Sequence, residues 1–330
     1  MSRLAVVTPS YARDFALCRL LNETVLRCFP SGVRHYIIVD ARDAAMFSHL
    51  VSSRTEILKK EQIVPQGFMQ LPLVNRWRCR ASRIPISGWL VQQIAKIAAA
   101  HALEAETLLI ADSDIAFVRA VDTALFVRDG ATRLFRRTTP IHEGLPQHAA
   151  WYRNACRLLG AVPVPHIMHD YIAPLVTWNA GLVRAMCTRI ETVMHMPWAD
   201  ALARTRDVSE YLLYGVFVER VAATQANVWI DDRERCASHW EPGRLSDERA
   251  RRLAAGVTEG DLAFMITSHA STPPSVRRSI VEGVTAATLR MDRSPAYTHG
   301  LHEFRAMPAS ASPHREDPAS FPGLRPASRR

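Results

Sequence analysis

Short apolar runs alternate with longer amphipathic stretches over the first third of the chain. Buried strands are predicted at residues 5–7, 35–39 and 108–111, and helices at 15–28 and 88–105. A further short helix and strand are indicated at 47–51 and 55–64. Strands that alternate with helices in this way form parallel sheets from βαβ units. The pattern therefore predicts an α/β fold with a mostly parallel central sheet flanked by helices.

The remainder of the chain has a less regular pattern. Strands are predicted at 133–136, 173–178, 227–230 and 264–267, and helices at 149–159, 182–195 and 209–220. Ser209 is a plausible N-cap for the last of these helices. From about Phe304 the sequence consists mainly of Pro, Ser, Ala and Arg, a composition typical of disorder. We expect a single domain over 1–300 and a disordered tail over 301–330.

Composition narrows the classes of function. No apolar run approaches 18 residues, so no transmembrane helix is predicted, and the N-terminal run is too short for a signal peptide. The six cysteines have no C-x-x-C spacing, which indicates reduced thiols in a cytoplasmic protein. The net charge of +9 comes mainly from arginine and suits an anionic partner. The densest basic patch, from Arg76 to Arg83, is predicted to lie in a loop between Pro72 and Pro85.

The most informative chemistry is the sequence Asp112-Ser113-Asp114, which follows the apolar run 108–111. In open α/β sheets, ligands bind just outside the carboxyl ends of the strands. Two carboxylates there supply the hard oxygen ligands with which Mg²⁺ or Mn²⁺ bridges to a phosphate. One aspartate at a strand end often serves a turn, but two after four apolar residues favour a function.

Other polar groups have a structural interpretation beside a functional one. Asp40, after the second strand, could recognise a nucleoside or serve a turn. Gln93 and Lys96 share a helical stripe; Lys96 could reach a phosphate, whereas a structural role is expected for Gln93. His166-x-x-His169-Asp170 has a spacing that a metal could use but follows two prolines, so we expect it to be mainly structural. No P-loop or G-x-G-x-x-G motif is present.

In their order along the chain, these motifs resemble the GT-A type glycosyltransferases. Thr8-Pro9-Ser10-Tyr11, Asp40 and the Asp112-Ser113-Asp114 strand end are similar to the nucleotide-sugar half of that fold. Three further motifs resemble a bacterial family of uncharacterised GT-A-like proteins: Gly88-Trp89-x-x-Gln92-Gln93-x-x-Lys96, Trp178-Asn179-Ala180-Gly181 and Ser209-Glu210-Tyr211-x-x-Tyr214-Gly215. The resemblance covers roughly residues 4–285.

The resemblance implies a fold and a reaction. The fold would be GT-A-like and Rossmann-related, with a nucleotide-sugar half over about 1–120 and an acceptor half over about 121–300. The reaction would be metal-dependent transfer of a sugar from a UDP- or GDP-linked donor to a carbohydrate or glycolipid acceptor, such as a surface glycan. Nucleic acid is not an expected partner, and peripheral contact with the inner face of a membrane is compatible with this reading.

The resemblance also implies roles on the donor side. Asp114 would hold a divalent metal, Mn²⁺ or Mg²⁺, acting as a Lewis acid. Asp112 would contact the ribose or reach the metal through water, and His269 would be a further ligand, with capping of a loop as the alternative. Nucleotide-sugar binding would fall to Thr8, Pro9, Ser10, Arg13, Asp40, Gln93, Lys96 and Ser113.

On the acceptor side, the resemblance implies a pocket formed by Trp178, Asn179, Gly181, Asp170 and Tyr211. An inverting enzyme needs a general base to deprotonate the attacking hydroxyl, and Glu210 is the candidate. The alternative for Glu210 is a glutamate favoured by the dipole at a helix N-terminus. A retaining enzyme would not need this base.

Two other classes of protein are compatible with parts of the sequence. A haloacid-dehalogenase-type phosphatase also has Asp-x-Asp after a hydrophobic strand, and Asp112 would be its nucleophile. That motif expects Thr or Val where this chain has Ala116, and it usually opens the domain. A non-enzymatic basic binding protein would carry basic residues interleaved with aromatics, and only the segment from Arg76 to Arg83 offers that pattern.

Overall fold

A computed structural model of the chain describes residues 4–292, except 73, 165–167 and 206. The strands are β1 (Leu4–Pro9), β2 (Arg34–Val39), β3 (Thr55–Lys59), β4 (Met69–Gln70), β5 (Arg76–Cys79), β6 (Ser82–Ser87), β7 (Thr107–Ala111), β8 (Ile115–Phe117), β9 (Val127–Arg128), β10 (Ala131–Phe135), β11 (Leu175–Asn179), β12 (Val228–Asp231), β13 (Cys236–His239) and β14 (Ala263–Ile266). The predicted tail, 301–330, lies outside the described residues.

The α-helices alternate with strands in the first third and dominate the middle of the chain. They are α1 (Phe15–Cys28), α2 (Ala44–Phe47), α3 (Lys60–Ile63), α4 (Gly88–Ala102), α5 (Pro146–Leu159), α6 (Ala180–Met194), α7 (Trp198–Arg204), α8 (Glu210–Val216), α9 (Asp247–Ala255) and α10 (Pro274–Asp292). A π-type turn, Phe217–Val221, continues α8. In the described part of the chain, no helix combines the length and apolarity needed to cross a membrane.

The central sheet has five strands in the order β11-β7-β1-β2-β3. Neighbours among β7, β1, β2 and β3 pair in parallel, and β11 pairs antiparallel with β7. Strands covered on both faces read as continuous apolar runs, which is the pattern at 5–7, 35–39 and 108–111. The predicted α/β class with a mostly parallel central sheet is confirmed.

The two faces of the central sheet pack against different layers. Ala5 and Val7 lie in the core formed with α4, α5, α6, α7 and α8. Leu4 and Val6 face the other way, into a core shared with α1, β8 and β14. Successive side chains of a strand point to opposite faces, so β1 and β7 each contribute to both cores. Smaller sheets of order β12-β10-β9, β13-β14-β8 and β4-β5-β6 surround this centre.

Side-chain caps fix where α4, α6 and α8 begin. The Ser87 hydroxyl accepts a hydrogen bond from the Leu90 amide at the start of α4, and Ser209, as predicted, caps α8. Asn179 Oδ1 accepts from the Leu182 amide at the start of α6. Such caps satisfy amides that have no partner within the helix.

The segment between Pro72 and Pro85 is not the predicted loop. It contributes β5 and β6 to a three-stranded sheet, in which Trp77, Cys79 and Ile86 point inward. Pro85 is tolerated because β6 is an edge strand. The alternation of arginine with Trp77 and Cys79 was the available signal for β5.

The region after residue 230 supplies the small sheet β13-β14-β8, of which only β14 was predicted. β14 pairs in parallel with β13 and antiparallel with β8. This pairing brings the loop after β14 back to the segment that joins β7 to β8. All six cysteines are buried and free.

Candidate functional site

Three neighbouring parallel strands end at one edge of the central sheet. β1 is followed by Ser10, β2 by Asp40 and β7 by Asp112. Because the strands run in the same direction, these residues lie along the edge at which open α/β sheets bind ligands. The parallel arrangement predicted for these strands is observed, and it puts the three strand ends on the same edge.

Asp112 and Asp114 have different environments. The Asp112 side chain is 45% exposed, and its Oδ1 lies 3.0 Å from Lys96 Nζ. Asp114 Oδ2 accepts a hydrogen bond of 2.7 Å from the Ser268 amide. Asp114 Oδ1 is buried without a hydrogen-bond partner in the described part of the chain. Burial and the neighbouring Asp112 raise the pKa of Asp114 to about 7. A cation at this oxygen would replace the missing partner.

Lys96 of α4 connects Asp112 to α8. Its Nζ donates to Glu210 Oε1 at 3.0 Å and to the Tyr211 hydroxyl at 2.9 Å. Burial by itself would lower the pKa of Lys96, but Asp112, Tyr211 and Glu210 together raise it well above its usual value. Lys96 therefore remains charged at physiological pH and supplies fixed positive charge beside Asp112.

Gln93 and Glu210 hold α4 and α8 together next to Lys96. Gln93 is buried, and its Oε1 accepts from the backbone amide of Glu210 at 3.1 Å. The Glu210 carboxylate is 5% exposed and bonded to Lys96. The bonded partner of Gln93 is thus a backbone group, which agrees with the structural role expected for this residue.

The loop after β14 lies beside the site, although it belongs to the C-terminal part of the described chain. Arg277 of α10 donates to four backbone carbonyls around this loop, those of Ile266, Thr267, Ala270 and Thr272. Its guanidinium thereby fixes the turn that presents the Ser268 amide to Asp114. Sequence reasoning missed Ser268 and Arg277, since no local pattern connects them with Asp114, which lies 154 residues before Ser268.

Asp14 is a further acid beside this loop that the sequence analysis did not identify. Its Oδ2 accepts from the Ser113 hydroxyl at 3.4 Å. Burial raises the pKa of Asp14, and the nearby charges of Arg277 and His269 partly oppose that shift. The available signal was its position at the start of α1, directly after the polar segment that follows β1.

The metal ligands expected from the resemblance are only partly assembled. Within the described ranges, no cluster of three or more His, Cys, Asp or Glu side chains is placed to hold a metal ion. The side chain of His269 is exposed. Mg²⁺ is often bound by one or two carboxylates together with waters and substrate phosphates. Asp112 and Asp114 fit that kind of site, since Asp114 Oδ1 is buried and has no hydrogen-bond partner among the described residues.

Several predicted nucleotide-binding residues have partners within the protein. The Thr8 hydroxyl bonds His35 Nε2 at 2.9 Å, inside a buried network that includes Asn22 and Thr55.

Asp40 is bonded to Lys60 and Gln70, at 2.7 and 2.6 Å. Pro9 and Ser10 are buried, and Arg13 is exposed. The Thr8 side chain therefore faces the core, whereas Asp40 stays at the edge in an ion pair.

The predicted pocket segment Trp178-Asn179-Ala180-Gly181 lies at the other edge of the sheet. β11 is antiparallel to β7, so Leu175 pairs with Ala111 and Asn179 pairs with Thr107. Five residues of strand separate Thr107 from Asp112, about 16 Å. Placing Asn179 and Gly181 beside the donor was therefore wrong, because the prediction did not include the direction of β11.

Trp178 packs against Tyr211, a partner of Lys96. It is buried, with its ring 5.9 Å from that of Tyr211, and Lys96 Nζ lies 4.7 Å from the Tyr211 ring centre. Trp178 thus supports the group that positions Lys96 and forms no wall of an open pocket.

Asp170 enters from the segment before β11. It accepts from His148 Nδ1 at 2.8 Å and from the Ile172 amide at 3.0 Å. Because Leu175 pairs with Ala111, the chain before β11 arrives at the Asp112 edge. His166 of the predicted His-x-x-His-Asp motif lies outside the described residues.

The fold and this edge define an α/β protein with a carboxylate-bearing site at the carboxyl ends of its parallel strands. A family model described as "Family of unknown function (DUF6492)" matches residues 3–245, and the chain belongs to that family. No curated protein matches the sequence. Among solved structures, the chain is similar to the crystal structure of an active-site mutant of LgtC, with a TM-score of 0.45 and 12% identity, over 84% of this chain and 95% of the LgtC chain.

Proposed function

We propose that the protein is a glycosyltransferase that moves a sugar from a nucleotide-diphosphate donor with the help of a divalent cation. The observation that carries the proposal is the pair Asp112 and Asp114 at the end of β7, with Asp114 Oδ1 buried and unpartnered. Lys96 lies 3.0 Å from Asp112, and the positive charge of Arg277 acts on Asp114. Carboxylates and cations arranged in this way suit a diphosphate bound through Mg²⁺ or Mn²⁺.

Each group has a defined part in this proposal. Asp112 and Asp114 would hold the cation, which stabilises the diphosphate leaving group as a Lewis acid. Lys96, kept charged by its acidic partners, would stabilise negative charge that develops as the glycosidic bond breaks. The Ser268 amide orients Asp114, so that its free oxygen remains directed to the site. A UDP- or GDP-linked donor, a carbohydrate or glycolipid acceptor and a cytoplasmic location remain parts of the proposal.

Glu210 is proposed as the general base of an inverting reaction, and its bond to Lys96 allows a test of that role. The variant Glu210→Gln keeps the side-chain shape. A base predicts a loss of kcat of about 10²-fold or more with little change in donor affinity. A residue that only positions Lys96 predicts weaker donor binding as well. Steady-state kinetics together with calorimetric binding distinguish the two results.

The proposal is tested first by isothermal titration calorimetry of the full chain with UDP and GDP, each with and without Mn²⁺. We expect one nucleotide to bind in a Mn²⁺-dependent manner. Asp114→Asn should abolish this binding. The matched control is Asp129→Asn, which also removes one carboxylate but lies in a turn at φ 49°, a conformation that asparagine adopts readily.

Other results would contradict the proposal. Absence of binding for both nucleotides at every metal condition would refute the donor assignment. Mg²⁺-dependent hydrolysis of p-nitrophenyl phosphate, lost in Asp112→Asn, would instead support the phosphatase reading. Equal binding by wild type and Asp114→Asn would show that the nucleotide site lies elsewhere.

A further inference from the structure

A second feature of the chain lies beside the site and is not used by the proposed reaction. The 42 residues from 62 to 103 contain no aspartate or glutamate. Within this stretch lie Lys96, which is buried against acids from other segments, and the arginines Arg76, Arg78, Arg80 and Arg83. Arg76 and Arg78 lie on β5, Arg83 lies on β6 and Arg80 lies in the turn between them. The charge of this segment is therefore positive, since it contains no acidic residue.

All four arginines are exposed. Trp77 and Cys79 are buried beneath β5, while Arg76 and Arg78 alternate with them and are exposed. Arg80, in the turn between β5 and β6, and Arg83, on β6, are exposed as well. In the described part of the chain, none of the four forms an ion pair with a carboxylate. By contrast, Arg249, Arg252 and Arg278 elsewhere on the surface pair with Glu241, Glu248 and Glu23.

Apolar side chains are exposed among these arginines. Met69 on β4 pairs with Arg78 across the sheet and is 56% exposed. Ile84 on β6, next to Arg83, is also 56% exposed. The exposed surface of β4-β5-β6 and of its β5–β6 turn, with the four arginines, Met69 and Ile84, is termed the basic face below.

We infer that the basic face docks on the surface of an anionic lipid bilayer. Clustered Arg side chains are attracted to acidic headgroups, and apolar side chains between them gain by entering the boundary between headgroups and acyl chains. A nucleic acid would engage the arginines equally well, but its backbone offers no apolar phase to Met69 and Ile84. The exposed apolar positions therefore favour the bilayer.

The basic face adjoins the candidate site through two contacts. Gln70, beside Met69 on β4, donates to Asp40 at the end of β2. Ser87, the last residue of β6, caps α4, the helix that carries Lys96. Docking would therefore bring the carboxyl edge of the central sheet close to the bilayer. The inference does not depend on the proposed transferase activity; if both hold, an acceptor anchored in lipid would lie near the site.

Co-sedimentation of the full chain with lipid vesicles tests the inference. Vesicles of phosphatidylcholine alone are compared with vesicles that also contain phosphatidylglycerol, at low ionic strength. We expect binding to the anionic vesicles only. Each surface Arg changes the partition coefficient by about fivefold, so R76Q/R78Q/R83Q should reduce binding by about a hundredfold.

The matched control is R249Q/R252Q/R278Q, which removes the same charge from arginines that are paired and lie on other elements. We expect this control to retain most of the binding, and I84S, with its charges intact, to lose part of it. Equal loss in the two triple variants would attribute binding to net charge and overturn the inference. Absence of vesicle binding by the wild type would also overturn it. If the wild type instead bound a single-stranded oligonucleotide and R76Q/R78Q/R83Q lost that affinity, the partner of the basic face would be a nucleic acid. Circular dichroism confirms that each variant is folded.

Discussion

Burial shifts two titratable side chains near β1 and β7 in the direction that removes their charge. The pKa of Asp114 rises to about 7 and the pKa of His35 falls to about 3. In both cases, burial disfavours the charged form. The consequences differ, because His35 has partners for both ring nitrogens, Asn22 and Thr8, whereas Asp114 retains a free oxygen. His35 is accordingly part of a buried structural network, and Asp114 Oδ1 is available to bind a cation.

His35 makes stability fall in acid. Its folded pKa lies below its unfolded value, so the unfolded chain binds more protons as the pH falls below about 6.5, and the folded state loses stability. Between pH 7 and pH 5 this single group should lower the free energy of unfolding by about 2 kcal/mol. Urea unfolding at the two pH values measures this quantity.

The variant His35→Gln should be less stable at pH 7, because it disrupts the buried network. Between pH 7 and pH 5, however, its free energy of unfolding should not show the decrease that His35 causes. His49→Gln, which removes an exposed histidine, is the control and should keep the wild-type dependence on pH. If His35→Gln retained the full acid loss, another group would be responsible.

At the scale of single elements, the loop after β14 depends on one side chain of α10. Arg277 is buried and donates to four carbonyls, whereas its neighbour Arg278 is partly exposed and pairs with Glu23. Arg277→Met should lower the free energy of unfolding by about 2–4 kcal/mol, because the carbonyls lose their donors. Arg278→Met should cost less than about 1 kcal/mol. Chemical denaturation of both variants measures the difference, and equal effects would show that Arg277 does not hold the loop.

The elements also show what a local pattern can predict. The helix at 15–28 has the predicted bounds, because a strong apolar periodicity is broken at both ends. The sheet β4-β5-β6 was missed because its strands are short and one contains Pro85. Asn179 and Gly181 were assigned to the wrong edge because a buried strand has the same pattern in either direction, and only its pairing partner reveals that direction.

At the scale of the whole molecule, the family match and the fold have different limits. The match ends at residue 245, but β14 begins at Ala263 and lies between β13 and β8. A chain ended after residue 245 would leave β8 without its partner and expose the core that Phe264 and Val284 help to fill. We expect this truncation to lose cooperative thermal unfolding, and a chain ended after Asp292, which contains every described element, to retain it. Cooperative unfolding of the shorter chain would show that the matched region folds independently.

Residues of the candidate site could be predicted where they follow from a local feature of the sequence, and not where they depend on pairing between distant strands. Asp40, Asp112 and Asp114 were identified because a strand end is a local feature and parallel strands bring such ends together. Lys96 was identified from its position on a helical stripe. Ser268 and Arg277 depend on pairing between β14 and β8, which joins segments about 150 residues apart and leaves no local trace.

The hydrogen bond from the Ser268 amide to Asp114 makes this amide a spectroscopic reporter of the site. The Ser268 nitrogen lies 2.7 Å from Asp114 Oδ2, which accepts its proton. A bound cation would attract this carboxylate and so change the hydrogen bond. Titration with Mg²⁺ and nucleotide should therefore move the Ser268 amide resonance and alter its exchange with solvent, although the residue lies beyond the region that the family model matches. A signal at one end of the chain would thus record occupancy at a strand end near its middle.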